Sequence, residues 1–212
     1  MMNVLSLGID VGVGKGLDLV LLDGELKIKN TKHDIRPEEL QRICQEWKPD
    51  IVAIDSPPGW SRSGKCRQAE LKLRERGIQC FATPSDPARQ KSRFYDWMRV
   101  GFRAFEAISL CYPRYRTGNV RGHAIEIFPY ATSVALAGKR PTGMTKVVWR
   151  RSILRGLGVA EGALSNVDQV DAALASITGI YALNGRFEAL GEPEEGVLVV
   201  PPGLVISIVS TS

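Results

Sequence analysis

Two aspartates in this chain each close an apolar run that has the composition of a buried strand. Asp10 follows Val-Leu-Ser-Leu-Gly-Ile at residues 4–9, and Asp55 follows Ile-Val-Ala-Ile at residues 51–54. Burying a carboxylate is costly unless a positive group neutralises it. Two carboxylates at strand ends therefore indicate a bound cation, and we interpret the chain as a metal-dependent enzyme.

Each of these aspartates also has a structural interpretation, which stays open at this stage. Asp10 is typical of a turn that leads into the glycine-rich residues 12–16. Asp55 is typical of an Asx turn before Ser56 and Pro57. The metal hypothesis therefore depends on further carboxylates reaching the same place.

A second pair of aspartates, Asp168 and Asp171, lies in a segment whose apolar residues recur at helical spacing. Residues three apart share one flank of a helix, and small residues on that flank would let the helix approach a sheet. Asp168 alternatively completes a capping box with Ser165, whereas Asp171 lies beyond that cap and is the stronger candidate. Glu126, in the apolar run 124–128, is a further candidate, with a solvated edge-strand glutamate as its alternative.

Other residue types that bind metals are scarce. The 212 residues include four Cys, with no C-x-x-C pair, and two His, which leaves little material for a zinc ribbon or a His-rich site. Oxygen ligands suit hard cations, so we expect Mg²⁺ or Mn²⁺. Gly14-Lys15 is not part of a P-loop, because that motif requires Gly at position 9 and Ser or Thr at position 16.

Basic residues are concentrated in the middle of the chain. Residues 56–121 carry fourteen Lys and Arg against five Asp and Glu, a net charge of +9, and the other residues carry a net charge of −4. A basic segment beside an acidic site is typical of a protein that handles a polyanion, because cations attract phosphates while carboxylates hold the metal. This indicates nucleic acid as the partner, and the candidate substrate-binding residues are Lys15, Arg62, Arg93, Arg99 and Arg103.

Apolar and aromatic side chains lie among these arginines, and nucleobases could stack on the rings. They are Phe94, Trp97, Met98, Phe102 and Phe105. Their helical spacing favours packing against the body of the protein over base stacking. The arginines would still point outward towards phosphate.

We predict one α/β domain, residues 1–212, with a basic and mostly helical insertion at 57–121. Three antiparallel strands at 4–10, 17–22 and 25–29 precede a helix at 37–47, which is long enough to return the strand 51–55 parallel to the first. Asp10 and Asp55 then lie on neighbouring strands at their carboxyl ends, where ligands collect. The other predicted elements are helices around 65–76 and 94–111, a strand at 124–128, helices near 145–156 and 166–184, and strand-like runs in the tail 188–212.

The chain shows no signal for export or membrane insertion. Its first residues lack the basic and apolar regions of a secretion signal, and the longest apolar stretch, 197–209, is interrupted by two prolines. We therefore predict a cytoplasmic protein without a membrane span.

Four short motifs, taken in this order and spacing, resemble the DUF429 family of predicted nucleases with the ribonuclease H-like fold. The resemblance covers roughly residues 4–183. The helical aspartate motif is also similar to that of the RuvC-type Holliday-junction resolvases, which share this fold. The motifs are Gly8-Ile9-Asp10, Ile54-Asp55-Ser56-Pro57, Glu126-Ile127-Phe128-Pro129 and Asp168-x-x-Asp171-Ala172.

The resemblance implies a mixed five-stranded sheet of order 3-2-1-4-5, flanked by helices, with carboxylates that bind divalent metal. It implies metal ligation by Asp10, Asp55, Asp168 and Asp171, and it matches Glu126 to the acidic residue of the family's E-[IV]-[YF]-P segment. RuvC-type enzymes carry a glutamate where this chain has Asp55, so the number of metal ions stays open. The implied catalytic residues are Asp10, Asp55, Glu126 and Asp171.

The predicted function is a metal-dependent nuclease that hydrolyses phosphodiester bonds of DNA or RNA. In a two-metal site the ions activate a water molecule and stabilise the leaving oxygen, so this chemistry needs carboxylates and no His nucleophile. Two alternatives stay open. One is an actin-like or sugar-kinase-type nucleotide-binding phosphotransferase, which also begins with a Gly-Ile-Asp strand; the other is a non-catalytic nucleic-acid-binding protein that uses the basic segment.

Overall fold

The centre of the structure is a mixed β-sheet of seven strands. The computed structural model describes residues 4–12, 14, 16–62 and 64–204; the candidate Lys15 lies outside this part. The strands are β1 (Leu5–Val11), β2 (Leu17–Asp23), β3 (Ile28–Ile35), β4 (Ile51–Asp55), β5 (Ala124–Glu126), β6 (Glu188–Glu192) and β7 (Gly196–Val200). Their order in the sheet is β3-β2-β1-β4-β5-β7-β6.

Strand directions follow from the connections. The short turns produce the antiparallel pairs β1/β2, β2/β3 and β6/β7, whereas the helical crossovers produce the parallel pairs β1/β4, β4/β5 and β5/β7. The α/β class and the order 3-2-1-4-5 of the first five strands are therefore confirmed.

The number of strands was wrong, because the sheet has seven strands rather than five. β6 and β7 form a hairpin that pairs with β5 through β7, and the glycines and prolines around them weaken the strand pattern in the sequence. β3 was also placed too early, since it covers Ile28–Ile35 rather than residues 25–29. Its side chains are mostly polar because it is the edge strand, so hydrophobic alternation gives little signal there.

Seven helices surround the sheet in the described part of the chain. They are α1 (Leu40–Trp47), α2 (Gln68–Glu75), α3 (Pro87–Gln90), α4 (Asp96–Ile108), α5 (Pro129–Ala137), α6 (Lys146–Gly156) and α7 (Val167–Leu183). The sequence pattern predicted α1, α2, α4, α6 and α7 but neither α3 nor α5. Pro129 was interpreted only as the end of a strand, whereas it stands in the first turn of α5, where a missing N–H has no cost.

The helices pack on both faces of the sheet. On one face, α1 and α4 bury Ile43, Ala104 and Phe105 against apolar side chains of β1 and β2. On the other face, α6 and α7 bury Ile153 and Leu174 against the alternate side chains of β2. Helix α4 lies within residues 57–121, so this segment contributes to the main core as well as to the surface.

Helix α7 lies unusually close to β1. A Cβ atom added to Gly8 would stand 1.9 Å from the carbonyl oxygen of Ala172, which means that only glycine fits at this position. The Ser176 hydroxyl donates a hydrogen bond of 2.7 Å to the carbonyl oxygen of Ser6. This contact fixes the first half of α7 beside the carboxyl end of β1.

None of the helices in the described residues is sufficiently long and apolar to cross a membrane.

Candidate active site

The four aspartates singled out from the sequence line one cavity of about 480 Å³. Asp10 and Asp55 come from the carboxyl ends of β1 and β4, and Asp168 and Asp171 come from the first two turns of α7. The same cavity is lined by Glu126, by three basic side chains and by a group of aromatic rings. The structure thus brings together residues that are up to 161 positions apart in the chain.

The sheet aligns the strand carboxylates. Asp10 is the direct partner of Asp55 on the parallel strand β4 and of Asp18 on the antiparallel strand β2. Neighbouring strands lie about 4.8 Å apart, and directly opposed residues point to the same face. Three carboxylates therefore form a row across the sheet with Asp10 at its centre.

The start of α7 is held against this row by a polar cap. The N-cap residue is Asn166, whose side-chain oxygen accepts a 2.6 Å hydrogen bond from the Gln169 backbone N–H. Its amide group donates a 2.8 Å hydrogen bond to Asp18. The cap is therefore Asn166 and not the Ser165 of the predicted capping box, so Asp168 is not needed for that box.

Burial and neighbouring carboxylates raise the pKa values of Asp10 and Asp55. Burial raises the pKa of Asp10 well above its ordinary value, and the nearby charges of Asp55, Asp171 and Asp168 raise it further. Burial also raises the pKa of Asp55 to about 8, with Asp171 adding to the shift while Arg150 and Lys146 oppose it. Such shifts show that negative charge in the cavity is under-compensated.

Two of the three basic side chains that line the cavity come from α6, and both contact Asp171. Arg150 is 2% exposed and donates a hydrogen bond from Nη1 to Oδ1 of Asp171, while its buried Nε has no hydrogen-bond partner among the described residues. Lys146, one turn earlier, places Nζ 3.3 Å from Oδ2 of Asp171 and is half exposed. Asp171 is therefore paired, in contrast to its neighbours.

The donor set fits a hard divalent cation, although the side chains are not gathered around one. In the part of the chain that the structure describes, no three Asp, Glu, His or Cys side chains are close enough to hold a metal ion as they stand. Within that part, Asp10, Asp55 and Asp168 also have no hydrogen-bond or ion-pair partner. Unpaired oxygen donors are the chemistry that Mg²⁺ or Mn²⁺ would satisfy.

Glu126 lines the cavity within a separate buried network. Arg67 is 1% exposed and lies between two glutamates. Its Nη1 is 2.7 Å from Oε2 of Glu126, and its Nε is 3.0 Å from Oε1 of Glu70. Glu70 also accepts hydrogen bonds from the backbone and hydroxyl groups of Thr83. Burial raises the pKa of Glu126 against the opposing charge of Arg67.

The candidate substrate-binding arginines lie outside the described lining of this cavity. Arg62 and Arg93 are exposed. Arg99 is bound to Asp96 and to the backbone of residues 90 and 92, and Arg103 lies 3.6 Å from Glu38 on the surface.

Several site residues were missed in the sequence. Asp18 offered a signal, since it is a charged residue within the apolar run 17–22. Arg150 and Arg67 offered none, because their burial depends on contacts with Asp171 and Glu126 from distant segments. The missed residues that line or support the cavity are Asp18, Arg67, Glu70, Phe81, Thr83, Lys146 and Arg150.

Comparisons with known proteins agree with the family resemblance. The model of the family described as "Protein of unknown function (DUF429)" matches residues 8–196. The search of curated proteins gives no significant match. Among solved structures, Thermus thermophilus RuvC matches with 19% sequence identity and a TM-score of 0.43, covering 85% of this chain and 96% of that one. A likeness at this level does not by itself establish a shared activity.

Proposed function

The chain belongs to the DUF429 family, and we propose that it is a metal-dependent nuclease that hydrolyses phosphodiester bonds of nucleic acid. The observation that carries this proposal is the set of four aspartates, from two neighbouring strands and one helix, that line a single cavity. Three of them lack a partner in the described structure, and two have raised pKa values. Carboxylates arranged in this way serve to hold cations rather than to stabilise the fold.

Asp10, Asp55, Asp168 and Asp171 would hold Mg²⁺ or Mn²⁺. When bound, the metal supplies Lewis-acid polarisation of the phosphodiester and an activated water molecule. No His side chain is among the residues that line the described cavity.

The chain's own cations have two different tasks in this proposal. Lys146 is half exposed at the cavity, so its ammonium group can leave Asp171 and contact a non-bridging phosphate oxygen. Arg150 is buried, so its guanidinium group stays in place and orients the Asp171 carboxylate. Glu126 is held by Arg67, and we assign it to positioning β5 beside the cavity.

Nucleic acid is the proposed substrate because of the charge distribution. The segment 56–121 carries a net charge of +9, and it supplies eleven of the residues that line the described cavity, from Ser56 to Met98. A basic surface next to an acidic centre attracts a polyanion and presents its phosphates to the metal. This argument applies equally to DNA and RNA.

Metal binding is the first test. We expect Mn²⁺ to raise the melting temperature of the wild-type protein and to have little effect on Asp10→Asn. Glu106→Gln is the matched control, because Glu106 is an exposed acid on α4 that should leave the response unchanged. An equal response of Asp10→Asn and wild type would place the metal elsewhere.

Cleavage is the second test. We expect wild-type protein with Mn²⁺ to cut a labelled oligonucleotide, and we expect EDTA, Asp10→Asn and Asp171→Asn each to lower the rate by at least about 100-fold. Metal binding without any cleavage would refute the nuclease proposal while keeping the metal site. Salt-sensitive binding that is indifferent to EDTA would instead support a non-catalytic nucleic-acid-binding protein.

A further inference from the structure

We propose that Phe81, Phe94 and Trp97 form a binding surface for one unpaired nucleobase at the mouth of the carboxylate cavity. We call these three residues the aromatic wall. The inference rests on the proposed function for the position of the phosphate to be cut, whereas base binding itself can be measured without cleavage.

The aromatic wall is a contiguous group of rings in the same cavity as the four aspartates. Phe81 lies in the loop after α2, and Phe94 lies in a short 3-10 helix, Arg93–Tyr95, just before α4. The centroids of Phe81 and Phe94 are 5.4 Å apart in an edge-to-face arrangement, and those of Phe81 and Trp97 are 6.0 Å apart. The rings therefore support one another, and Phe94 also packs edge-to-face on the buried Tyr95, with centroids 4.9 Å apart.

Burial separates the wall from the aromatic side chains that stabilise the fold. Met98 and Phe105 are 1% and 6% exposed and pack inside, as their helical spacing predicted. Phe94 and Phe81 are 54% and 59% exposed. Large apolar side chains that are exposed together usually mark a binding surface, because isolated exposure is common but clustered exposure is costly.

The chemistry of the surroundings points to a nucleotide as the occupant. A base has an aromatic face that stacks on such rings regardless of sequence, and edge-to-face packing covers only part of each ring surface. Exposed Arg89, Lys91 and Arg93 lie within the five residues before Phe94 in the chain, so basic side chains for phosphate contacts are available next to the wall. An apolar protein partner would gain nothing from this charge.

The size of the cavity indicates that the base must be unpaired. Its volume of about 480 Å³ lies in the range of small-molecule sites, about 300–1,000 Å³, which suits one nucleotide and not a base pair with its second strand. A base in a duplex would have to leave its stack first, at a cost of a few kcal/mol. The aromatic wall therefore predicts a preference for single strands, loops or unpaired ends.

The test is fluorescence anisotropy in EDTA, which prevents metal-dependent cleavage, with a labelled single-stranded octanucleotide as the probe. We expect Phe94→Leu and Phe81→Leu each to weaken binding by about 5- to 100-fold, because leucine keeps the apolar volume but removes the ring. Phe81→Tyr should bind like wild type, since it keeps the ring. Leu110→Ala is the control, because Leu110 is 92% exposed but does not line the cavity.

Two further probes isolate the base. An octanucleotide with abasic sites should bind wild type and Phe94→Leu equally, since only phosphate contacts remain, and the same sequence as a duplex should bind wild type at least about tenfold more weakly than the single strand. The proposal would be overturned if Phe94→Leu weakened binding of the abasic octanucleotide as much as binding of the intact one. Equal affinity of wild type for the single strand and the duplex would overturn it as well. If the ring variants lose base binding in a protein that never cleaves, the aromatic wall stands and only the nuclease proposal fails.

Discussion

The unpaired carboxylates of Asp10 and Asp55 make the metal-free protein sensitive to pH. The pKa of Asp55 is about 8 because the residue is desolvated and lies beside Asp171, whereas an unfolded Asp has a pKa near 3.9. Between these two values the folded state holds a proton that the unfolded state has lost. The free energy of unfolding therefore falls as pH rises from about 4 to about 8, by roughly 1.4 kcal/mol per pH unit for one such group.

Urea unfolding in EDTA at pH 5, 6.5 and 8 measures this effect. We expect the free energy of unfolding to fall less steeply with rising pH in Asp55→Asn than in wild type. The reason is that asparagine cannot ionise, so the cost of a buried charge at this position is removed. Added Mg²⁺ should flatten the wild-type curve as well, since a bound cation compensates the charge. Identical pH slopes for wild type and Asp55→Asn would contradict the assignment.

Substitution of Glu126 shows whether this buried acid takes part in catalysis or only in the stability of the fold. Its ion pair with Arg67 is buried on both sides, so Glu126→Gln should lower the free energy of unfolding by about 2 kcal/mol. We expect Glu126→Gln to show the same rise in melting temperature with Mn²⁺ as wild type. Its cleavage rate should stay within about tenfold of the wild-type rate. A variant with unchanged stability and no cleavage would support the catalytic role that the sequence motif implies.

At this scale the sequence indicated the acids better than their partners. Asp10 and Asp55 stood out because each closes an apolar run, and Asp171 stood out because it lies on the same helix flank as Asp168 but beyond the cap. Arg150 and Phe81 did not, because local patterns carry no information about which distant residue a side chain meets. The aromatic residues around Phe94 were placed correctly on a helix start, but spacing alone could not separate those that face the core from those that face the cavity.

Helix α7 determines the geometry of the site at the level of secondary structure. Because Gly8 of β1 has no side chain, the backbone of α7 contacts β1 at Ala172. Asp171 directly precedes this contact in the helix. The expectation that small residues would allow the helix to approach the sheet was right in kind, and the small residues that contact β1 include Ala172, Ser176 and Gly179. The cap at Asn166 fixes the axial position of the same helix.

Gly8→Ala tests this contact. The added Cβ would meet a backbone oxygen that cannot rotate away, so we expect the free energy of unfolding to fall by about 3 kcal/mol or more, with loss of the Mn²⁺ response. Gly156→Ala is the control, because that residue lies in the last turn of α6 with open space around it. The control should be neutral or stabilising by up to about 1 kcal/mol, as differential scanning calorimetry would show.

Elements with strong periodicity were predicted accurately, whereas the others were misplaced, predicted only as strand-like runs, or missed. The central strands and α7 bury long apolar patterns, so their type and order followed from the sequence. β3 is a polar edge strand, and β6 and β7 are five-residue strands that become stable only by pairing with the sheet. Helix α5 begins at Pro129, and a proline in this position is equally typical of the end of a strand and of the first turn of a helix.

For the molecule as a whole, the separation of charge predicts how nucleic acid binding responds to salt. For single strands, log K falls against log salt with a slope of about −0.7 for each phosphate neutralised. We expect Arg93→Gln to reduce that slope by about 0.7. Arg186→Gln should not change it, because residue 186 follows the far end of the 17-residue helix α7, about 25 Å from the cavity. Equal slopes for wild type and Arg93→Gln would remove Arg93 from the binding surface.

Because Asp10 pairs with Asp18 and Asp55 in the sheet, the register of the strands determines whether these carboxylates are aligned. Successive side chains of a strand alternate between the two faces, so a slip of one residue in β1 would turn its carboxylate to the opposite face of the sheet. The same slip would turn Leu7 and Ile9, which are fully buried on the other face, towards α7, where only glycine fits beside Ala172. The register that packs the core therefore also aligns the acids, and a mispaired chain would lose its core and its cation site together.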